Sequence, residues 1–282
     1  MHLPPEPFFS GPGIDRADQV RVDPVRLAEL LAGGASQLVW RDGLPAVGTD
    51  GRLEWEAATS PDLFLGLQDG TPRVSAAVQP HTNARAAFDT IGALAPDEAA
   101  LFAVVLSLAW WHSRHCFCAN CGAPTDIERG GWSRSCPRCS AQHFPRVDPV
   151  VIMLAEHDGR LLLGRQPQYP AGRYSALAGF LEPGESIEAA VARELHEEAG
   201  IHVADVTYIA SQPWPFPSSL MIGCHARALD EALTIDTTEL DDARWFTREE
   251  IAAALAGDPK AAFIAPPRFA IARTLLEHWV AS

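Results

Sequence analysis

The chain has 282 residues, 47% of them hydrophobic. That is enough for roughly two domains with real cores, and too apolar for a disordered chain. Acidic residues number 36 against 22 basic ones, a net charge of −14; this argues against a protein built to grip nucleic acid by its phosphates, and any polyanionic substrate must be met by local cations or metal.

Three regions separate along the chain. The start, "MHLPPEPFFSGPG", lacks the basic and apolar blocks of a targeting signal. Within 1–112, "SQLVW" (36–40) and "DLFLGL" (62–67) read as short strands, and helices are expected over 84–93 and 97–111. The apolar run 99–111 is too short for a membrane span of about 20 residues and reads as a buried helix. We therefore expect a cytoplasmic protein without membrane attachment. Residues 113–145 hold two cysteine pairs and too little apolar material to fold unaided.

Residues 146–282 alternate strands and helices. "PVVIMLAE" (149–156) and "RLLLGRQ" (160–166) predict a hairpin across "HDG". Further strands are expected over 203–211, 219–229 and 243–246, with helices over 247–257 and 268–281. Thr247 and Glu250 resemble a capping box, and Pro267 suits a helix first turn. The stretch "SQPWPFPSSLM" (211–221) carries three prolines, which stiffen the chain at the expense of regular structure.

Cys118-x2-Cys121 and Cys136-x2-Cys139, fourteen residues apart, have zinc-ribbon spacing. Zn²⁺ favours four thiolates in a tetrahedron, and a closed set of four leaves no position for water, so this zinc is structural, one per subunit. Cys116, His115 or His143 could replace one ligand. Cys224, in a strand, reads as a small core residue.

The segment "GFLEPGESIEAAVARELHEEAGI" (179–201) predicts a helix between an N-cap at Ser186 and a C-terminal glycine at Gly200. With Ile187 at zero and about 100° per residue, Val191 falls near +40°, Glu194 near −20° and Glu198 near +20°. Glu197 flanks them near −80°, within reach of Arg193 one turn earlier. The two carboxylates lie among the apolar residues. Burying them is costly unless they are paired or bind a cation, and a hard divalent ion with oxygen ligands answers that difficulty.

This stretch resembles the Nudix box, G-x5-E-x7-R-E-U-x-E-E-x-G-U with U bulky and aliphatic. Gly179, Glu185, Arg193, Glu194, Leu195, Glu197, Glu198, Gly200 and Ile201 match every specified position. The resemblance implies an α+β chain with a Nudix α/β/α sandwich, and Mg²⁺- or Mn²⁺-dependent hydrolysis of a diphosphate linked to another group. It implies metal ligation by Glu194 and Glu198, helped by the Ala178 carbonyl, with Glu197 orienting or deprotonating water.

"SQPWPFPSSLM" is similar to the motif that follows the box in the NADH pyrophosphatase branch of this family. Ser211, Gln212, Pro213, Trp214, Pro215, Phe216, Pro217 and Ser219 match, with Ser218 at the unspecified position. The expected organisation is an N-terminal α/β domain (1–112), a zinc ribbon (113–145) and a Nudix domain (146–282). The resemblance implies hydrolysis of NADH, and less well NAD⁺, to nicotinamide mononucleotide and AMP, activity on NAD-capped RNA 5′ ends, and a homodimer whose subunits share each site. It places Glu239 as a third metal-binding glutamate, Phe180 near the nicotinamide and Ala272 against substrate through its backbone. Phe144 falls where relatives use a tyrosine across the dimer, so only stacking survives. Gly131 stands where a relative has a substrate-binding glutamate. Gln212 and residues 213–219 are the candidate substrate loop, with Trp214 and Phe216 stacking on a ring or buttressing the pocket.

Overall fold

The computed structural model describes residues 5–11, 13–59, 61–80 and 84–282. These fall into two units: Phe9–Val147 with Pro213–Ser218, and Asp148–Gln212 with Ser219–Ser282 and the described part of Met1–Phe8.

In the first unit, helices α1 (Asp18–Arg21) and α2 (Pro24–Ala32) come first. The Asp23 carboxylate caps α2 by accepting from the amides of Val25 and Arg26, and Pro24 occupies the position where no amide is needed. Strands β1 (Ser36–Leu38), β2 (Trp40–Arg41), β3 (Leu44–Pro45), β4 (Trp55–Ala57), β5 (Leu63–Gln68) and β6 (Thr71–Ser75) follow. Four of them form a sheet in the order β4-β1-β6-β5, and β2 pairs with β3. Then come α3 (Ala84–Ala93) and α4 (Ala99–Arg114). Helix α4 is apolar around most of its circumference, so it buries Leu101, Phe102, Val105, Leu106, Leu108 and Trp111 rather than a single stripe.

The cysteine-bearing segment adds β7 (Asp126–Glu128), β8 (Ser133–Ser135) and β9 (Gln142–His143), a three-stranded antiparallel sheet. Its small size is offset by anchorage to α4. The buried Arg134 guanidinium donates to Thr125 Oγ1 and Thr125 O, each at 2.7 Å, and to His112 Nδ1 at 3.0 Å. His112 Nε2 in turn donates to the Gly131 carbonyl at 2.8 Å. Both ring nitrogens are thereby assigned, and His112 is held neutral; burial depresses its pKa. Gly131 itself has φ +92, and a β-carbon there would lie 2.5 Å from Leu63 Cδ2, so a glutamate does not fit.

The second unit is built on a sheet of six strands. These are β10 (Asp148–His157), β11 (Arg160–Arg165), β12 (Leu177–Phe180), β13 (Val203–Trp214), β14 (Ser219–Ala228) and β15 (Asp242–Thr247). The order is β13-β14-β10-β11-β15, with β12 also on β10. Helix α5 (Ile187–Ala199) covers one face; α6 (Arg248–Leu255) and α7 (Ile271–Ala281) cover the other. Val151, Met153 and Ala155 pack with Val191, Leu195 and Ala199 of α5, while Ile152 and Leu154 pack with Ile251, Leu275 and Leu276. A strand buried on both faces reads as an unbroken apolar run, which is why 149–156 lacks alternation. The expected α/β/α sandwich is the architecture observed in the second unit.

One edge of β10 is shared: Val150–Met153 pair with β12 and Ala155–His157 with β11, both antiparallel, while β14 runs parallel along the other edge. Two local expectations change. Residues 211–214 are regular strand at the end of β13, and the turn is confined to 215–218. Helix α7 begins at Ile271, and Pro267 instead accepts from the Ala270 amide in the preceding turn. The capping box at Thr247 and Glu250 is present on α6.

Candidate active site

Strand β12 delivers Ala178, Gly179 and Phe180 to the start of α5. Ser186 Oγ caps the helix by accepting from the Ala189 amide, and Gly200 ends it in the left-handed region at φ +74. A β-carbon on Gly200 would crowd the Thr234 backbone.

Arg193 organises the acidic cluster. Its Nε and Nη2 grip Glu185 Oε1 and Oε2 at 2.6 and 2.8 Å, and Nη1 reaches Glu194 Oε1 at 2.8 Å and Glu197 Oε2 at 2.9 Å. Nη2 also donates to the Phe180 carbonyl at 2.9 Å. One planar fork thus fixes the loop, the strand end and two glutamates. Arg193 and the Glu182 amide hold the Glu185 carboxyl down to about 2.

Glu198 has the opposite environment. It is 3% exposed, and its Oε2 is buried with no hydrogen-bond partner. Burial, then the charges of Glu194, Glu239, Asp236 and Glu197, push its pKa up to about 8. Glu194 is also shifted upward by burial, with Arg193 opposing. A buried carboxylate oxygen without a partner, in the field of further carboxylates, suits a hard divalent cation, although among the described residues no three carboxylates bring their oxygens within 4.8 Å of one another as the four cysteines bring their sulfurs. Glu239 is exposed in the segment after β14, within electrostatic reach of Glu194 and Glu198. Ala178 lies half-buried opposite Ile152. Glu197 and Phe180 are exposed, Phe180 at 60%.

The other candidates are placed differently. Gln212 is fully buried, and its Nε2 donates to the Phe269 carbonyl at 3.1 Å, tying the end of β13 to the segment before α7. Ala272 has its side chain in the core among α7 residues, and Ser219 is buried opposite Asp148. Within the first unit, Trp214 meets Phe9, Phe88 and Phe216 with ring centroids at 6.1, 6.2 and 5.2 Å, and Phe216 meets Phe88 at 5.7 Å. Both rings thus have aromatic partners in that unit. Pro215 is buried, Pro213 and Pro217 are exposed, and Ser218 is half-buried. Phe144, after β9, is exposed.

Two residues near the carboxylates carried no motif signal. Tyr169 has its hydroxyl pKa raised by burial and by the Glu198 charge. Asp236 accepts from the Thr238 amide and hydroxyl at 2.8 Å and adds to the field at Glu198. Glu185 is visible as a box position, but its bidentate bond needs the 180–186 turn.

The four ribbon cysteines form a second centre. Their sulfurs all lie within 4.8 Å of one another, with Cys118–Cys139 at 3.6 Å and Cys121–Cys136 at 3.5 Å. A tetrahedral Zn²⁺ at about 2.3 Å from each sulfur needs S–S separations near 3.8 Å, so the four thiols are positioned for it. Each C-x2-C is a matched knuckle: Gly122 and Ser140, just after the second cysteines, both have positive φ and donate back to Cys118 and Cys136 carbonyls. Cys116 Sγ instead bonds the His112 carbonyl, and Cys224 is buried in the core.

Fold and site together are an α/β/α sandwich that carries the buried Glu198 and half-buried Glu194 carboxylates on α5, the arrangement of the Nudix class. The family model described as NUDIX domain matches residues 145–265, and that described as NADH pyrophosphatase zinc ribbon domain matches 113–144. The chain is 39% identical over 300 residues to NAD-capped RNA hydrolase NudC of Mycobacterium bovis, covering 98% of this chain and 95% of that one. It is 50% identical over 193 residues to NAD-capped RNA hydrolase NUDT12 of Homo sapiens, a match covering 65% of this chain and 42% of that protein, less than half its length. A crystal structure of a NUDIX hydrolase from Nitrosomonas europaea aligns with TM-score 0.47 at 24% identity, covering 58% of this chain and 90% of that one. The chain belongs to the Nudix hydrolase family, in the branch that carries the NADH pyrophosphatase zinc ribbon. Nudix hydrolases use Mg²⁺ or Mn²⁺ catalytically. Among the described residues no single helix is long and apolar enough to cross a membrane.

Proposed function

We propose that this chain hydrolyses the pyrophosphate of NADH and NAD⁺ to nicotinamide mononucleotide and AMP, with the dinucleotide free or as the 5′ cap of an RNA. The observation that carries the reading is the buried, unpartnered Oε2 of Glu198 beside Glu194 on a helix that matches the box throughout. The names of the relatives support the substrate class.

Glu194, Glu198 and Glu239, with the Ala178 carbonyl, would hold Mg²⁺ or Mn²⁺. When bound, the ion neutralises phosphate charge and lowers the pKa of water. Arg193 restrains Glu194 and leaves one of its oxygens free to point at the cation. Glu197, exposed and held through Oε2, would orient the attacking water or take its proton at Oε1. The exposed Phe180 ring offers a stacking face to the nicotinamide end, which fixes the phosphorus against the carboxylates. Gln212, through its bond to Phe269, and Ala272, through its backbone, would support the substrate. We also propose a cytoplasmic homodimer, in which Phe144 of the ribbon reaches substrate bound by the partner subunit.

Competition of free NADH against NAD-capped RNA, scored by kcat/KM, tests the substrate. The reading expects AMP and nicotinamide mononucleotide from free NADH at a rate comparable to cap removal. A turnover confined to RNA would reassign the enzyme to caps alone.

A further inference from the structure

The second unit contains a cavity of about 700 Å³ that includes none of the box residues. It opens against β10, β13 and β14 on the face covered by α6 and α7. Its wall holds Arg248, His225 and His278 around the Trp279 indole, with the Glu156 carboxylate, the terminal residue Ser282 and the exposed Tyr208 ring.

The carboxylate is already used. His225 Nε2 and Trp279 Nε1 both donate to Glu156 Oε2 at 2.8 Å. Burial opposes ionisation of Glu156, yet these bonds hold its pKa below the ordinary value. Arg248 lies 4.0 Å over the Trp279 ring and donates to the Trp279 carbonyl. Among the described residues that bond engages one of its five guanidinium N–H groups, and the His278 ring has no hydrogen-bond partner. The outcome is a guanidinium and an imidazole with unused N–H donors beside flat aromatic surface, in a volume suited to a small organic ligand.

We propose that this cavity binds a nucleoside monophosphate, its phosphate on Arg248 and His278 and its base against Tyr208. Guanidinium and imidazole donors favour a compact dianion, and an aromatic wall favours a planar ring over a free inorganic ion. Glu156 Oε2 already accepts from His225 and Trp279, and the Arg248 charge acts on the same carboxylate. The assignment does not depend on the reaction proposed above.

The test is titration of the full chain, zinc retained and without added Mg²⁺ or Mn²⁺, with AMP, adenosine and inorganic phosphate, following the ¹⁵N indole signal of Trp279. AMP should shift that signal saturably, and adenosine should not. Arg248→Gln and His278→Ala should each weaken AMP binding about tenfold or more, the scale of a lost charged hydrogen bond. His278→Ala should keep wild-type Tm and NADH hydrolysis. If Arg248→Gln fails to fold, His278→Ala and Tyr208→Ala decide. A Trp279 signal that AMP leaves unmoved, with perturbations only around Glu198, overturns the proposal, as does wild-type affinity in the folded variants. Inorganic phosphate binding as tightly as AMP removes the nucleotide and overturns it too.

Discussion

A β-carbon on Gly179 would lie 1.8 Å from the carboxyl carbon of Glu194. The last residues of β12 and the second turn of α5 are therefore in direct contact through a position that admits no side chain. The approach sets where the Glu194 carboxylate can be, and the glycine at the head of the box follows from it.

Gly179→Ala should displace that carboxylate while leaving the helix caps intact. We expect kcat on NADH to fall by about 100-fold or more, since a shift near 1 Å at a reacting centre costs that much. KM should change little. Steady-state kinetics with a circular dichroism control would check it, and unchanged kcat would show that Glu194 has no fixed role.

Arg193→Lys keeps the charge but loses the fork that joins Glu185, Glu194, Glu197 and the Phe180 carbonyl. A single ammonium cannot serve all four. The variant should lose activity and show weaker apparent Mg²⁺ affinity, read from the metal dependence of rate. Equal metal dependence in both proteins would contradict the positioning role.

The pKa of Glu198 gives a pH signature. It stands at about 8 in the folded, metal-free protein, above the roughly 4.3 of an unfolded glutamate. The stability linked to this group is complete below the unfolded value and is lost as pH rises through about 8. Metal-free Tm should therefore decline across that window, and Glu198→Gln should remove this part of the decline. Mg²⁺ should restore Tm most at the alkaline end, where the carboxylate is ionised. Differential scanning calorimetry at several pH values, with and without Mg²⁺, is the measurement; a metal effect independent of pH would oppose the account.

Zinc should act on structure rather than chemistry. Cys136→Ser, or zinc removal by a chelator, should lower the Tm of the first unit, because β7–β9 have little core beyond the Arg134 anchorage. Readdition of Zn²⁺ should restore Tm, and a zinc-depleted chain with unchanged Tm would refute the structural role.

The carboxylate helix and the zinc centre are legible in the amino-acid sequence because both are local. A 3.6-residue period puts Glu194 and Glu198 beside Ile187 and Val191, and in the fold Glu198 is buried with Val191. A metal knuckle likewise needs only a few consecutive residues, so the cysteine pairs announce it. The features that the sequence hides depend on long-range packing. The partner of Gln212 lies at Phe269, and those of Trp214 lie at Phe9 and Phe88. Three prolines at 213, 215 and 217 suggest irregular chain, yet edge strand β13 continues to Trp214, since an edge tolerates a residue that donates nothing on its open side. Tyr169 and Asp236 reach the carboxylates only through the fold.

We propose Glu198 as a metal-holding carboxylate of a pyrophosphatase, and the rest of the mechanism stands on that role. AMP release from NADH by wild type and Glu198→Gln, with saturating Mg²⁺ or Mn²⁺, tests it most directly. We expect a folded variant whose rate falls by more than the roughly 10–100-fold typical of losing an outer partner of a metal ligand. Equal AMP release by the two proteins would contradict it.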